Sequence, residues 1–296
     1  MALETVKKVL KISRFRFWIY SAGPYVVGYT LGASGFSDFL RPEYYIYLIY
    51  FFVPANILIY GVNDYFDVET DAINPKKDLK EIRVMGEDRI RLRKMLLGVL
   101  GISFGLMLIQ DNMARILFGG FLFLSIFYSA PPIRFKSRPF LDFASNYLYI
   151  MPGVFGHYIA SGRLPDPLIL LAGFLHIDAM HIFSAIPDIE FDRSVGIRTT
   201  AVVMGRKKAL ILVTVFWGGL AYLAVTLTGF HPLSFLALIY PTVPLSVLVF
   251  GRDINRVYWF LPYINTTLGG LLWLALVNQK IITFFPEILT IGYADF

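Results

Sequence analysis

Nine apolar runs recur along the whole length of the chain, at 17–31, 44–62, 95–109, 116–129, 140–159, 168–186, 210–227, 232–250 and 263–277. Most are long enough to cross a hydrocarbon core of roughly 30 Å as helices, which satisfy their own backbone hydrogen bonds where no water can. The third and fourth are the shortest. Composition points the same way: with 56% hydrophobic and 16% charged residues, 296 residues are too apolar for one or two water-soluble domains. The pattern predicts an all-α integral membrane bundle of about nine transmembrane helices. No Ser/Gly-rich linker interrupts it, so residues 1–296 read as a single membrane domain.

The basic residues then orient the bundle. Lys7, Lys8, Lys11, Arg14 and Arg16 precede the first run like the start of a signal peptide, but no small-residue cleavage pattern follows, and the run reads as a retained helix. With nine spans, 23 of the 27 Lys and Arg residues fall on one side, and only Arg41, Arg115, Arg163 and Lys280 on the other. This asymmetry explains the net charge of +6 without nucleic acid as a partner. It places the N-terminus and the long basic loops in the cytoplasm and the C-terminus outside, in a cell membrane whose lipids are the expected partners. Cysteine is absent, which removes disulfide and thiolate chemistry. No obligatory protein partner is indicated.

The two longest cytoplasmic connections, 61–94 and 187–208, each open on an acidic cluster. The first is Asn63-Asp64-Tyr65-Phe66-Asp67-Val68-Glu69-Thr70-Asp71, and a helix continued through it sets Asn63, Asp67 and Asp71 on one face, with Asp64 and Glu69 turned away. The second, Asp188-Ile189-Glu190-Phe191-Asp192, again puts two aspartates on one face and Glu190 off it. The 125-residue offset between Asp67 and Asp192 is compatible with a duplicated four-helix unit, although the flanking residues show little other similarity. Acidic residues at a span's end can be solvated termini beside neutralising lysines. Two such clusters at corresponding places are instead what hard divalent cations need, since Mg²⁺ takes carboxylate, carbonyl, water and phosphate oxygens and leaves part of its shell for substrate.

Basic residues follow each cluster, in Asn74-Pro75-Lys76-Lys77-Asp78 and Gly196-Ile197-Arg198-Thr199-Thr200. Most are accounted for as positive-inside charge. A diphosphate held by two Mg²⁺ near a low-dielectric wall still needs Lys or Arg donors, and Tyr128-Ser-Ala-Pro-Pro-Ile-Arg-Phe-Lys136 offers Arg134 and Lys136 on a turn stiffened by two prolines.

Asn63-Asp-x-x-Asp67-x-x-x-Asp71 and Asp188-x-x-x-Asp192, in order and on one side of a nine-helix chain, resemble the paired signatures of the UbiA superfamily of intramembrane prenyltransferases. The resemblance covers nearly the whole chain. It implies a helical bundle around a central cavity that opens sideways to lipid, where Mg²⁺ and the acidic motifs hold a prenyl diphosphate for transfer to a lipophilic acceptor. It implies Asn63, Asp67, Asp71, Asp188 and Asp192 as metal-binding, the four aspartates forming the catalytic set, and Lys76, Tyr128, Lys136 and Arg14 as contacts to the diphosphate. Val195 stands where many members carry one more acid, so coordination on that side departs from the common pattern. Longer strings, among them Pro54-Ala-Asn-Ile-Leu-Ile-Tyr-Gly-Val-Asn-Asp64 and Met180-His-Ile-Phe-Ser-Ala-Ile-Pro-Asp-Ile-Glu190, look like the lycopene elongase branch. There dimethylallyl diphosphate is the donor and a linear carotenoid end the acceptor.

In such a reaction the diphosphate leaves, aromatic faces stabilise the allylic cation, and the acceptor's π-electrons attack it. Tyr20, Phe51, Phe52, Tyr60 and Tyr149 are candidate liners, each equally at home as ordinary packing. His157, His176, His181 and His231 read as structural; His181, seven residues before Asp188, faces the same cavity if the helix is continuous, where a general base is conceivable. Asn56 either adds to a polar pocket or joins two helices. Three other readings stay open at this level: a quinone precursor, a haem or an archaeal glycerol phosphate lipid as acceptor. A cation-coupled transporter is the rival from another class, although its acids would sit nearer the midplane.

Overall fold

Proline and polar caps set where the helices begin. The structure, a computed structural model, describes residues 9–68 and 86–291. Its helices are α1 (Ile19–Gly32), α2 (Pro42–Phe52), α3 (Pro54–Phe66), α4 (Glu87–Leu108), α5 (Asn112–Phe127) and α6 (Leu141–Ala144), followed by α7 (Met151–Ser161), α8 (Pro167–Ala185), α9 (Ile189–Ser194), α10 (Thr200–Leu227), α11 (Ile239–Phe250) and α12 (Ile254–Ile291). Pro42, Pro54 and Pro167 each open a helix, where the missing N–H costs nothing. Asp111, Asp166 and Thr199 cap α5, α8 and α10 by accepting from Ala114 N, Leu168 N and Val202 N. Among the described residues no strand forms.

Among the described residues, five helical stretches are long and apolar enough to cross a membrane: Pro42–Phe66, Pro167–Ser194, Thr200–Leu227, Pro232–Phe250 and Ile254–Lys280. The remaining apolar runs are helical but shorter or interrupted. α1 has 14 residues, α4 spends its first turns on charged side chains, and the 140–159 run is divided among α6, a 3₁₀ segment at Ser145–Tyr149 and α7. The second run is also bent. Pro54 has no N–H to give to the carbonyl of Tyr50, and at this break the carbonyls of Phe51 and Phe52 accept from Asn56 Nδ2 at 2.9 Å each, with Ser21 Oγ donating to Phe51 O at 2.7 Å. Asn56 therefore joins helices rather than lining a pocket.

Two buried clusters form the interior. The first gathers residues of α1 to α5 and α7, around Tyr25, Phe51, Phe118 and Phe155; the second gathers α8, α10, α11 and α12 around Phe183, Trp217 and Tyr240. α1 and α7 meet backbone to backbone: a Cβ at Gly28 would lie 2.0 Å from Gly153 O, and one at Gly156 2.7 Å from Tyr25 O. Small residues give helices this approach in an apolar medium, where dispersion and polar links replace the hydrophobic effect. Tyr50 and Ser103 share a buried hydrogen bond of 2.7 Å, and Trp273 Nε1 donates to Thr30 Oγ1 at 3.2 Å to tie α12 to α1. Outside, large apolar side chains such as Ile49, Val215, Phe250 and Phe260 are more than 60% exposed, as lipid-facing positions are.

Candidate active site

The end of α3 carries the first acidic motif. The helix stops at Phe66 and Asp67 is its C-cap, its N–H donating to Asn63 O at 3.0 Å, so Asn63 and Asp67 share a face as their spacing predicted. The motif is not one continuous helix through Asp67. Three side chains of the 129–136 segment converge on that face. Ser129 Oγ and Lys136 Nζ donate to Asn63 Oδ1 at 2.9 and 3.1 Å. Arg134 donates to Asp67 Oδ1 at 3.0 Å, and Lys136 pairs with its other oxygen. The segment turns through a cis Pro131–Pro132 bond and a left-handed Arg134, φ 46°. Asp67 is buried, and two cations compensate its removal from water.

Arg14 answers to a different carboxylate. Its guanidinium donates to Asp64 Oδ1 at 3.1 Å and lies 4.7 Å from the centroid of the Tyr60 ring. Asp64, which the spacing turns away from Asn63 and Asp67, is thus buried against a partner from 50 residues earlier. The second acidic motif sits beyond a 3₁₀ turn, Ile186–Asp188, that contains Pro187 and separates α8 from α9. Asp188 stands at the N-cap position of α9 without a side-chain capping bond and Asp192 lies within the helix, both half-buried, while exposed Glu190 pairs with Arg193 at 2.9 Å. Asp71, Glu69 and Lys76 lie outside the described residues.

A cavity of about 280 Å³ is lined from both buried clusters. Phe17, Tyr20, Tyr60, Tyr149 and Tyr258 give it aromatic walls, and Tyr149 OH donates to Tyr60 OH at 3.2 Å. Ile59, Leu148, Ile177, Met180 and Leu261 add aliphatic surface. Its polar lining is Arg14, Asn63, Tyr128, Asn146, His181 and Ser184. Asn63 therefore belongs both to the cavity and to the Asp67–Arg134–Lys136 cluster. Three expected liners are present, but Phe51 and Phe52 are not: Phe51 is wholly buried among Tyr25, Phe118 and Phe121, and Phe52 meets the edge of Trp18. Both precede the break at Val53, across which the helical register is not continuous. Tyr258 and Asn146 line the cavity without having been singled out by any motif.

Three of the four histidines are structural. His157 Nδ1 meets Arg163 O at 3.0 Å, His231 Nδ1 accepts from Leu233 N, and His176 packs on Tyr240 with ring centroids 4.8 Å apart. His181 differs, since it faces the cavity and its ring nitrogens form no hydrogen bond among the described residues. The expectation of a hydrogen-bonded structural role does not hold for it.

The donors at both motifs are amide and carboxylate oxygens, the hard ligands that suit Mg²⁺. Among the described residues no three His, Cys, Asp or Glu side chains close into a protein-only metal cage. That fits a cation sharing its shell with water and phosphate, which takes only one or two carboxylates from a protein.

The model of the UbiA prenyltransferase family matches residues 21–259. The chain belongs to that family. It is an integral membrane prenyltransferase, and the transporter reading loses its support. The lycopene elongase/hydratase of Haloferax volcanii is 42% identical over 274 residues, covering 90% of this chain and 89% of that protein. The Haloarcula japonica protein of the same name is 39% identical, covering 88% of each. Among solved structures, a UbiA homologue from Archaeoglobus fulgidus bound to DMAPP and Mg²⁺ superposes with a TM-score of 0.71 at 21% identity, over 92% of this chain and 99% of that one. This likeness concerns the fold.

Proposed function

We propose that the protein transfers a dimethylallyl group from dimethylallyl diphosphate to the end of lycopene. The observation that carries the site is Asn63, which joins an aromatic-walled cavity to a cluster of one carboxylate and two cations. The acceptor rests on the relatives named for lycopene elongation and hydration at 42 and 39% identity across nearly their full lengths.

In this reading residues 1–296 form one domain with nine spans, and the acidic motifs face the cytoplasm. Asn63, Asp67 and Asp71 hold one Mg²⁺, and Asp188 and Asp192 a second. Bound there, the ions would neutralise the diphosphate as it leaves with the electron pair of the allylic C–O bond. Arg134 and Lys136, which pair with Asp67, turn to the diphosphate, with Lys76, Tyr128 and Arg14 as further contacts. Aromatic faces at Phe17, Tyr60 and Tyr149 stabilise the allylic cation and keep bulk water from it. The acceptor's π-bond then closes the new C–C bond, and the resulting tertiary cation is quenched.

The test is expression in lycopene-accumulating membranes, addition of dimethylallyl diphosphate with Mg²⁺, and mass spectrometry of the carotenoids, with Asp67→Asn as control. Mg²⁺-dependent gain of prenyl units, absent in the control, is expected. No gain with folded wild-type protein would remove lycopene as acceptor.

A further inference from the structure

Prenyl transfer to an alkene leaves a cation on the acceptor, and the reaction ends only when that charge is removed. Either a neighbouring carbon gives up a proton or water adds, and both need a proton acceptor inside the cavity. The side chains that line it include several tyrosines, one arginine, two amides, one serine and one histidine. Near neutral pH only the histidine's imidazole is a competent base.

We infer that His181, oriented by Asp142, is the base that deprotonates the water quenching the acceptor cation. The inference rests on the prenyl-transfer reading above. Asp142 is 1% exposed and fixed from a distant part of the chain: Thr200 N donates to its Oδ2 at 2.8 Å, and Thr200 Oγ1 donates to its Oδ1. Thr200 Oγ1 in turn accepts from Phe140 N at 2.6 Å, so the carboxylate sits in a rigid cradle at the start of α10. Its Oδ2 lies 4.0 Å from His181 Nε2. That separation exceeds a hydrogen bond, but at this range the carboxylate's field favours the Nε2–H tautomer and leaves the lone pair on Nδ1. The same charge stabilises the imidazolium once a proton arrives, the role a buried carboxylate plays behind other histidine bases. The Tyr128 ring stands edge-on to the imidazole at 6.2 Å between centroids. Asn146, Ser184 and Tyr128 also line the cavity and add polar groups that a water could use.

The step balances as follows. The acceptor's π-pair bonds to the allylic carbon, and a lone pair of the held water forms the C–O bond at the tertiary cation. One of that water's protons passes to His181 Nδ1, giving a neutral hydroxylated product and an imidazolium beside Asp142. The imidazolium returns its proton to the departing diphosphate or to solvent.

The experiment compares wild type, His181→Gln and Asp142→Asn in the lycopene membranes, reading each coupled carotenoid with and without the mass of one added water. Wild type should yield hydrated product. In His181→Gln the ratio of hydrated to unhydrated product should fall by roughly tenfold or more. In Asp142→Asn, where the base loses only its orienting charge, the same ratio should fall less. A variant that is not monodisperse in detergent is replaced by His181→Asn or Asp142→Glu. An unchanged ratio, a wild-type product without added water, or loss of diphosphate release in step with all products would overturn the assignment. Absence of any coupled product from wild type would instead overturn the acceptor reading on which it rests.

Discussion

Replacing Lys136 by alanine removes one of the cations that hold Asp67 and one of the donors proposed for the diphosphate. Its side chain is 15% exposed and its ammonium is bonded to Asn63 Oδ1 at 3.1 Å as well as to Asp67, so water screens it only in part. A charge-assisted hydrogen bond in such a setting contributes about 1.5–3 kcal/mol, which corresponds to a rise in KM for the diphosphate donor of roughly 10- to 150-fold. The opposite effect falls on the metal. With one cation fewer beside it, Asp67 is freer to bind a metal ion, so the Mg²⁺ concentration giving half-maximal rate should stay level or fall. Steady-state kinetics in detergent, titrating donor and Mg²⁺ separately, distinguish the two. Lys136→Arg should recover part of the donor affinity, since charge is kept but geometry is not. A donor KM within about twofold of wild type would refute the reasoning, as would a higher Mg²⁺ requirement with donor KM unchanged.

Asp192→Asn should lower Mg²⁺-dependent turnover at least about 100-fold in protein that elutes as wild type, and a wild-type rate would remove Asp192 from the metal site. Thr200→Val strips the Asp142 carboxylate of one donor and leaves Phe140 N–H without its acceptor, which should cost about 2–4 kcal/mol in thermal unfolding. Thr200→Ser should restore most of that, and equal melting of the valine and serine variants would show that the cradle does not bear on stability. Gly28→Ala forces α1 and α7 apart where a Cβ would stand 2.0 Å from Gly153 O, and should destabilise by about 1–3 kcal/mol. An unshifted melting temperature would mean that the two helices are not held so closely.

How much of this was legible beforehand depended on distance along the chain. Helical class and acidic motifs are local: apolar runs and the four-residue spacing of Asn63 and Asp67 are written within a few turns, and the structure keeps that spacing on one face, while among the described residues five helices rather than nine are long and apolar enough to span. The close approach of Gly28 to Gly153, and of Gly32 to His157 and Ala160, came only from the packing of α1 on α7. The break at Val53 is marked in the sequence only by Pro54, since the run 44–62 is apolar on both sides of it.

What the sequence by itself determined was the solvent, the helical class and the identity of the oxygen-donor motifs, since composition and short-range spacing are enough for these. Only the tertiary structure decided the pairings: Arg14 with Asp64, Arg134 and Lys136 with Asp67, and Thr200 with Asp142 beneath His181. These link residues 50 to 69 positions apart, or 39 for His181 and Asp142. In a bilayer, core-facing and lipid-facing positions are equally apolar, so no periodicity shows which helix faces which. The partner of a buried charge is therefore set by how the helices pack.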